Sequence, residues 1–166
     1  MPTTPQINES YLKSIFQYQL NRIYNGKCFL KDNLDHLISL ASFRALQLAM
    51  GEFGSGVHNQ ISRMDDIYRL IGEKPLDTVG NPIKSIIKDE FFIDEKQTMP
   101  VLNDLDIILY VQLLEHVNIT TYRMLIMIAK LLKYNEIKQL LTENFDESAE
   151  NDQLFTLIAK EYITTD

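Results

Sequence analysis

Four long stretches of this chain repeat apolar residues every three or four positions, the period of a helix with one buried face. The first runs from about Ser10 to Ala41, with Leu20, Ile23, Lys27, Leu30, Leu34, Leu37 and Ala41 on its stripe. The second, from about Ser42 to Ile71, carries Met50, Phe53, Val57, Ile61, Met64, Tyr68 and Ile71. The third, from about Asp104 to Leu132, carries Ile108, Val111, Glu115, Asn118, Tyr122, Leu125, Ala129 and Leu132. The fourth follows the turn Lys133-Tyr134-Asn135 and reaches about Ile163, with Ile137, Leu141, Asn144, Ser148, Asn151, Phe155 and Ile158 inward. No stretch alternates with the two-residue period of a strand, so the spacing predicts an all-α fold.

The breaks between the stretches select the topology. Gly72-Glu73-Lys74-Pro75 stops the second helix, and Asn81 followed by Pro82 starts a short one that ends near Phe92. Ile93 to Asn103 reads as a loop. Two helical hairpins joined by a crossover of about thirty residues is the ferritin-like arrangement among four-helix bundles. With 166 residues the chain is read as one domain. Its core is expected to span about residues 10–163, with residues 1–9 as a flexible tail. Gly51, Gly54 and Gly56 should weaken the second helix by about 2–3 kcal/mol relative to alanine, so an irregular or unusually close-packed segment is expected there.

Several function classes drop out on charge and length. The net charge is −7 with no basic stripe, which argues against a nucleic-acid partner. The longest apolar run, Met124 to Leu132, is too short to span a bilayer, so no membrane association is expected. The first residues lack the pattern of a secretory signal, and the lone Cys28 has no intrachain partner, which fits a cytoplasmic protein. There is no phosphate-binding glycine loop, zinc-type Cys/His spacing or nucleophile–base pair.

What stands out is a set of polar residues inside the apolar stripes: Lys27, Glu115, Asn118, Asn144 and Ser148. A buried charge is costly unless paired, so their alignment marks a functional site in the bundle core or the remains of one. Each has a plainer reading. Lys27 could lay its stem on the core and reach solvent, although its stripe position favours pointing inward. His58 lies at the edge of its stripe, where a hydrogen-bonded structural role is the default, and His36 and His116 fall on the surface. Cys28 reads as a packing residue and Tyr122 as core.

The stretches RMDDIYRLIGEKP (63–75) and LLEHVNITTYRMLIMIAKLLKYNEIKQLL (113–141) resemble the YciE/YciF-type ferritin-like stress proteins of bacteria. Asn103-Asp104 and Asp152 fit as well, and the resemblance runs from about Leu12 to Ala159. It implies a homodimeric bundle with an internal di-metal site of carboxylates and a histidine in Glu-x-x-His spacing. Phe16, Tyr110, Phe91 and Phe92 lie off the stripes and would need cover, which suits a homodimer.

The chain departs from the family pattern at the ligands. The first-helix glutamate is Lys27; the Glu-x-x-His of the second helix reads Ser55-Gly56-Val57-His58; Glu115-His116-Val117-Asn118 retains one of two glutamates. On the fourth helix either Glu147 or Ser148 takes the ligand position. An ammonium about 4 Å from a divalent ion at an effective dielectric of about 20 is repelled by roughly 8 kcal/mol. The expectation is a non-enzymatic, stress-related bundle without a cofactor, its degenerate site a polar network of Lys27, Ser55, His58, Glu115, Asn118, Glu147 and Ser148. In it, Lys27 would be the counter-charge to Glu115 and Glu147. The alternative is an iron- or manganese-binding oxidoreductase or iron-handling protein using His58, Glu115 and Glu147.

Overall fold

The computed structural model describes residues 7–77, 80–90 and 98–164. The four periodic stretches are helices α1 (Glu9–Leu40), α2 (Arg44–Ile71), α4 (Pro100–Leu131) and α5 (Asn135–Thr164). Between α2 and α4 lies the short α3 (Pro82–Ser85), continued by a π-helical turn (Ile86–Glu90). There is no strand among the described residues. The expected end of the short helix near Phe92, like Phe91 and Phe92 themselves, lies outside them.

Local chemistry sets the ends. The Asn8 side chain accepts from the Tyr11 N–H at 2.9 Å and starts α1 at Glu9, so that end of the expected flexible tail is helical. Gly72 closes α2 in the left-handed region at φ 69°, with the Glu73 N–H returning to the Tyr68 carbonyl at 3.1 Å. Asn81 caps α3 through the Ile83 N–H at 3.1 Å, and Pro82 stands in its first turn. Helix α4 begins at Pro100, earlier than the expected Asp104, because proline is well suited to a first helical turn. Asp104 instead acts as a tie between elements. Its buried carboxylate accepts from the Ser42 N–H at 2.7 Å, the Ser42 hydroxyl at 2.5 Å and the Tyr162 hydroxyl at 2.7 Å. That one side chain joins the α1–α2 turn to α4 and to the end of α5.

The helix directions can be read from the bonds between them. Tyr24 to Asp65 at 2.7 Å and Tyr68 to Asn21 at 2.6 Å fit an antiparallel α1–α2 hairpin. Gln112 to Asp152 and Asn144 to Tyr122 do the same for α4 and α5. By contrast, Ser42–Asp104 and Gln60–Tyr122 both link residues 62 apart, so α2 and α4 run parallel. The connection through α3 therefore crosses the length of the bundle, and the fold is a four-helix bundle with a long crossover. Phe53 and Phe155 meet edge to face at 5.8 Å in its core. Phe16 is 1% exposed and stacks on Tyr134 at 6.0 Å, so it is a core residue rather than one in need of cover.

Glycines let two pairs of segments approach closely. A Cβ at Gly26 would stand 2.7 Å from the Ile83 Cβ, so α3 can lie on α1 only because residue 26 has no side chain. A Cβ at Gly54 would come 2.5 Å from the Leu34 Cδ2. Gly51 faces open space and α2 is continuous through all three glycines, which corrects the expected irregularity: close packing is confined to Gly54. Gly26→Ala is therefore expected to lower stability by about 1–3 kcal/mol through overpacking, although alanine favours the helix by about 1 kcal/mol. Gly51→Ala should raise stability by about 0.5–1 kcal/mol. Urea unfolding checks both signs, and a stabilised Gly26→Ala would contradict the packing of α3 on α1.

Candidate functional site

Every long helix sends polar groups to one layer halfway along the bundle. From α1 comes Lys27, 1% exposed. From α4 come Glu115, Asn118 and Tyr122, and from α5 Asn144 and Ser148, all buried. From α2 comes Gln60, also buried, with the half-buried Arg63 at the rim. The helical period explains the alignment: 115, 118 and 122 are spaced by three and four, as are 144, 148 and 151.

Most of these groups are tied to one another. The Asn118 amide donates to Glu115 Oε1 at 3.0 Å and the Asn151 amide reaches Glu115 Oε2 at 3.4 Å. The Tyr122 hydroxyl donates to Gln60 Oε1 at 2.8 Å, and the Gln60 amide reaches the Ser148 hydroxyl at 3.4 Å. At the rim, Arg63 donates to Asn144 Oδ1 at 3.1 Å and to Glu147 Oε1 at 2.7 Å, and pairs with Glu143 at 3.0 Å.

The ammonium of Lys27 is the exception. Buried in this layer, it has no hydrogen-bond partner, nor have Asn118 Oδ1 and Glu147 Oε2. It lies 5.9 Å from the centre of the Tyr122 ring. Burial pushes its pKa down, against the attraction of Glu115 and then Glu147. Burial likewise pushes the Glu115 carboxyl up, against Lys27 and the hydrogen bonds of Asn118, Ser148 and Asn151. Both groups are thus driven toward their neutral forms, and each ionised form supports the other. The Tyr122 hydroxyl is also held protonated by burial.

Of the residues expected in the network, Lys27, Glu115, Asn118 and Ser148 are together, and Glu147 stands at the edge. Ser55 and His58 are elsewhere: both are exposed, bonded back to their own helix at Gly51 O (3.4 Å) and Gly54 O (3.0 Å). Val57, Gln60, Ile61 and Met64 take the inward positions of α2, which turns 55 and 58 outward. Glu147 is also bonded differently from expectation, because Arg63 holds it and Lys27 makes no ion pair with it. The alternative ligand set of His58, Glu115 and Glu147 is consequently not assembled around one point. Gln60 and Arg63 were not among the expected residues. Gln60 had a signal, since it lies three after Val57 and four before Met64; Arg63 is off the stripe and enters by the length of its side chain.

Elsewhere, His116 is on the surface beside Asp152 at 3.2 Å, and Cys28 is a half-buried free thiol whose pKa burial pushes up. No group of three or more His, Cys, Asp or Glu converges on a metal-sized point among the described residues. A di-metal centre carries four positive charges, and this layer offers amides, hydroxyls, one central carboxylate and an ammonium. That donor set does not fit such a centre. No helix among the described residues is long and apolar enough to cross a membrane.

Comparison with known proteins bears on the family and the fold. Residues 11–166 match the family model described as domain of unknown function DUF892. The stress protein YciF of E. coli superposes with a TM-score of 0.87 at 22% identity, covering 93% of this chain and 98% of its own. YcfI from Rhodopseudomonas palustris, provisionally described as structural, superposes at 0.82 with 23% identity, covering 92% and 96%. At these identities the likeness shows the fold alone. No curated protein matches the sequence.

Proposed function

The chain belongs to the DUF892 family, the group of the YciE/YciF-type proteins, and from that premise we propose a non-enzymatic, stress-related structural bundle with a metal-free centre. In this reading the Lys27 amine, positively charged where it is protonated, occupies the place where relatives of the ferritin type would hold metal ions. The observation that supports it most is the Lys27 ammonium, buried in the polar layer and unpaired within it. Divalent ions placed there would meet its repulsion, and the layer's carboxylates are too few to outweigh it. The structural relatives, a stress protein and one provisionally described as structural, suit a stress-related structural role. The network also suits a passive part: bonds among Tyr122, Gln60, Asn144 and Ser148 join α2, α4 and α5 across the core.

Aerobic oxidation of added iron(II) is the functional test. The protein is expected to oxidise it no faster than buffer with an equal mass of an unrelated helical protein. A rapid phase consuming about two iron ions per chain, the complement of a di-iron centre, would overturn the reading.

A further inference from the structure

We propose that the polar layer binds one ordered water molecule, held jointly by the Lys27 amine, Asn118 Oδ1 and Glu147 Oε2. Among the described residues, these are the buried side-chain polar atoms left without a hydrogen-bond partner. They come from three helices, α1, α4 and α5, and belong to one layer. Asn118 is bonded to Glu115, Glu147 is held by Arg63 beside Asn144, and the charges of Glu115 and Glu147 both act on Lys27. Buried polar groups are almost always bonded, so orphans gathered at one level point to a shared partner.

The three atoms specify that partner by inventory. The amine offers N–H donors in either protonation state, and the two oxygens are acceptors. A water molecule is their complement, since its oxygen accepts from the amine while its two O–H groups donate to the oxygens. Buried waters typically make about three bonds of this kind. A metal ion would satisfy the oxygens but leave the N–H donors unmatched. An anion would satisfy the amine but face two acceptors and the Glu115 carboxylate. An apolar occupant would satisfy none of the three.

The neighbours leave the amine no direct substitute. Glu115 accepts from Asn118 and Asn151, and Glu147 Oε1 accepts from Arg63. The ammonium itself lies 5.9 Å from the centre of the Tyr122 ring. Buried Tyr122, Gln60, Asn144 and Ser148 wall the layer, and Arg63 closes its rim by pairing with Glu143 and Glu147. A water bridge is enthalpically nearly as good as a direct hydrogen bond. It would let a lysine stand at this level without drawing α1, α4 and α5 closer together. The site rests on the metal-free reading, because a metal ion here would take the same two oxygens.

Protein purified without chelators tests this in the crystal and in solution. A high-resolution crystal structure is expected to show one water within hydrogen-bonding distance of all three atoms. Oxygen-17 relaxation dispersion, which counts long-lived internal waters, is expected to find one fewer in Lys27→Met than in the unmodified protein. Lys27 bonded directly to Glu115 or Glu147 with no water between them, or an equal count in Lys27→Met, overturns the proposal. The crystal structure needs no variant, so the proposal remains decidable if Lys27→Met fails to fold. A dry layer without metal overturns this site alone. A metal ion at that position, identified by anomalous scattering, overturns the metal-free reading along with it.

Discussion

Glu115→Leu is expected to lower the unfolding free energy by about 3–5 kcal/mol. The wild-type carboxyl is fully buried, accepts from Asn118 and Asn151, and supplies the main field that favours the charged form of Lys27. Leucine fills the volume but leaves two amide donors without an acceptor and the ammonium without its strongest opposing charge. Lys27 can respond by releasing its proton, since burial already lowers its pKa, and that response limits the loss. Glu115→Gln keeps an acceptor for Asn118 and should lose less. Urea unfolding with an unchanged m value measures both; a loss below about 1 kcal/mol for leucine would mean the layer's bonds are energetically idle.

The opposite sign is expected when both charges are removed together. Lys27→Met with Glu115→Gln replaces the ammonium by an apolar side chain of similar length and leaves a neutral acceptor for Asn118. Replacing buried charges with well-packed groups commonly stabilises by about 1–4 kcal/mol, and the double variant should fall in that range at neutral pH. The pH dependence gives a second readout. In the folded protein Lys27 has a pKa below its ordinary 10.5. Between those two values the unfolded chain binds more protons, so wild-type stability rises with pH there. Glu115 is raised above its ordinary 4.5, so its contribution is greatest below that value and falls as pH rises through the folded pKa. Both slopes should vanish in the double variant. A double variant less stable than wild type would show that Lys27 is held by a favourable interaction that its unpaired ammonium does not display, and one keeping the alkaline rise would show that groups other than Lys27 cause it.

The fold was legible because the helical period is unbroken in every long element and Gly72 and Asn81-Pro82 mark the crossover. Lys27, Glu115, Asn118 and Ser148 were legible as site residues for the same reason, since a polar residue at a stripe position has nowhere else to go. The failures are ones of rotation and reach. Ser55 and His58 were placed by correspondence to a family motif, and their phase relative to Val57 turns them outward. Arg63 was invisible because a long side chain enters from outside the stripe, and its capture of Glu147 removed one of the partners expected for Lys27. The third helix was expected from about Asp104, whereas Pro100 opens α4 and Asp104 binds Ser42 and Tyr162 from within it.

The central claim is that the layer around the Lys27 amine holds no metal. Elemental analysis tests it most directly: protein purified without chelators is loaded with excess iron(II), manganese(II) or zinc(II), freed of unbound ion and assayed for metal per chain. The account predicts well under one tightly bound ion per chain for each metal, unchanged by Glu115→Gln. One or two ions per chain, lost on Glu115→Gln, would contradict it.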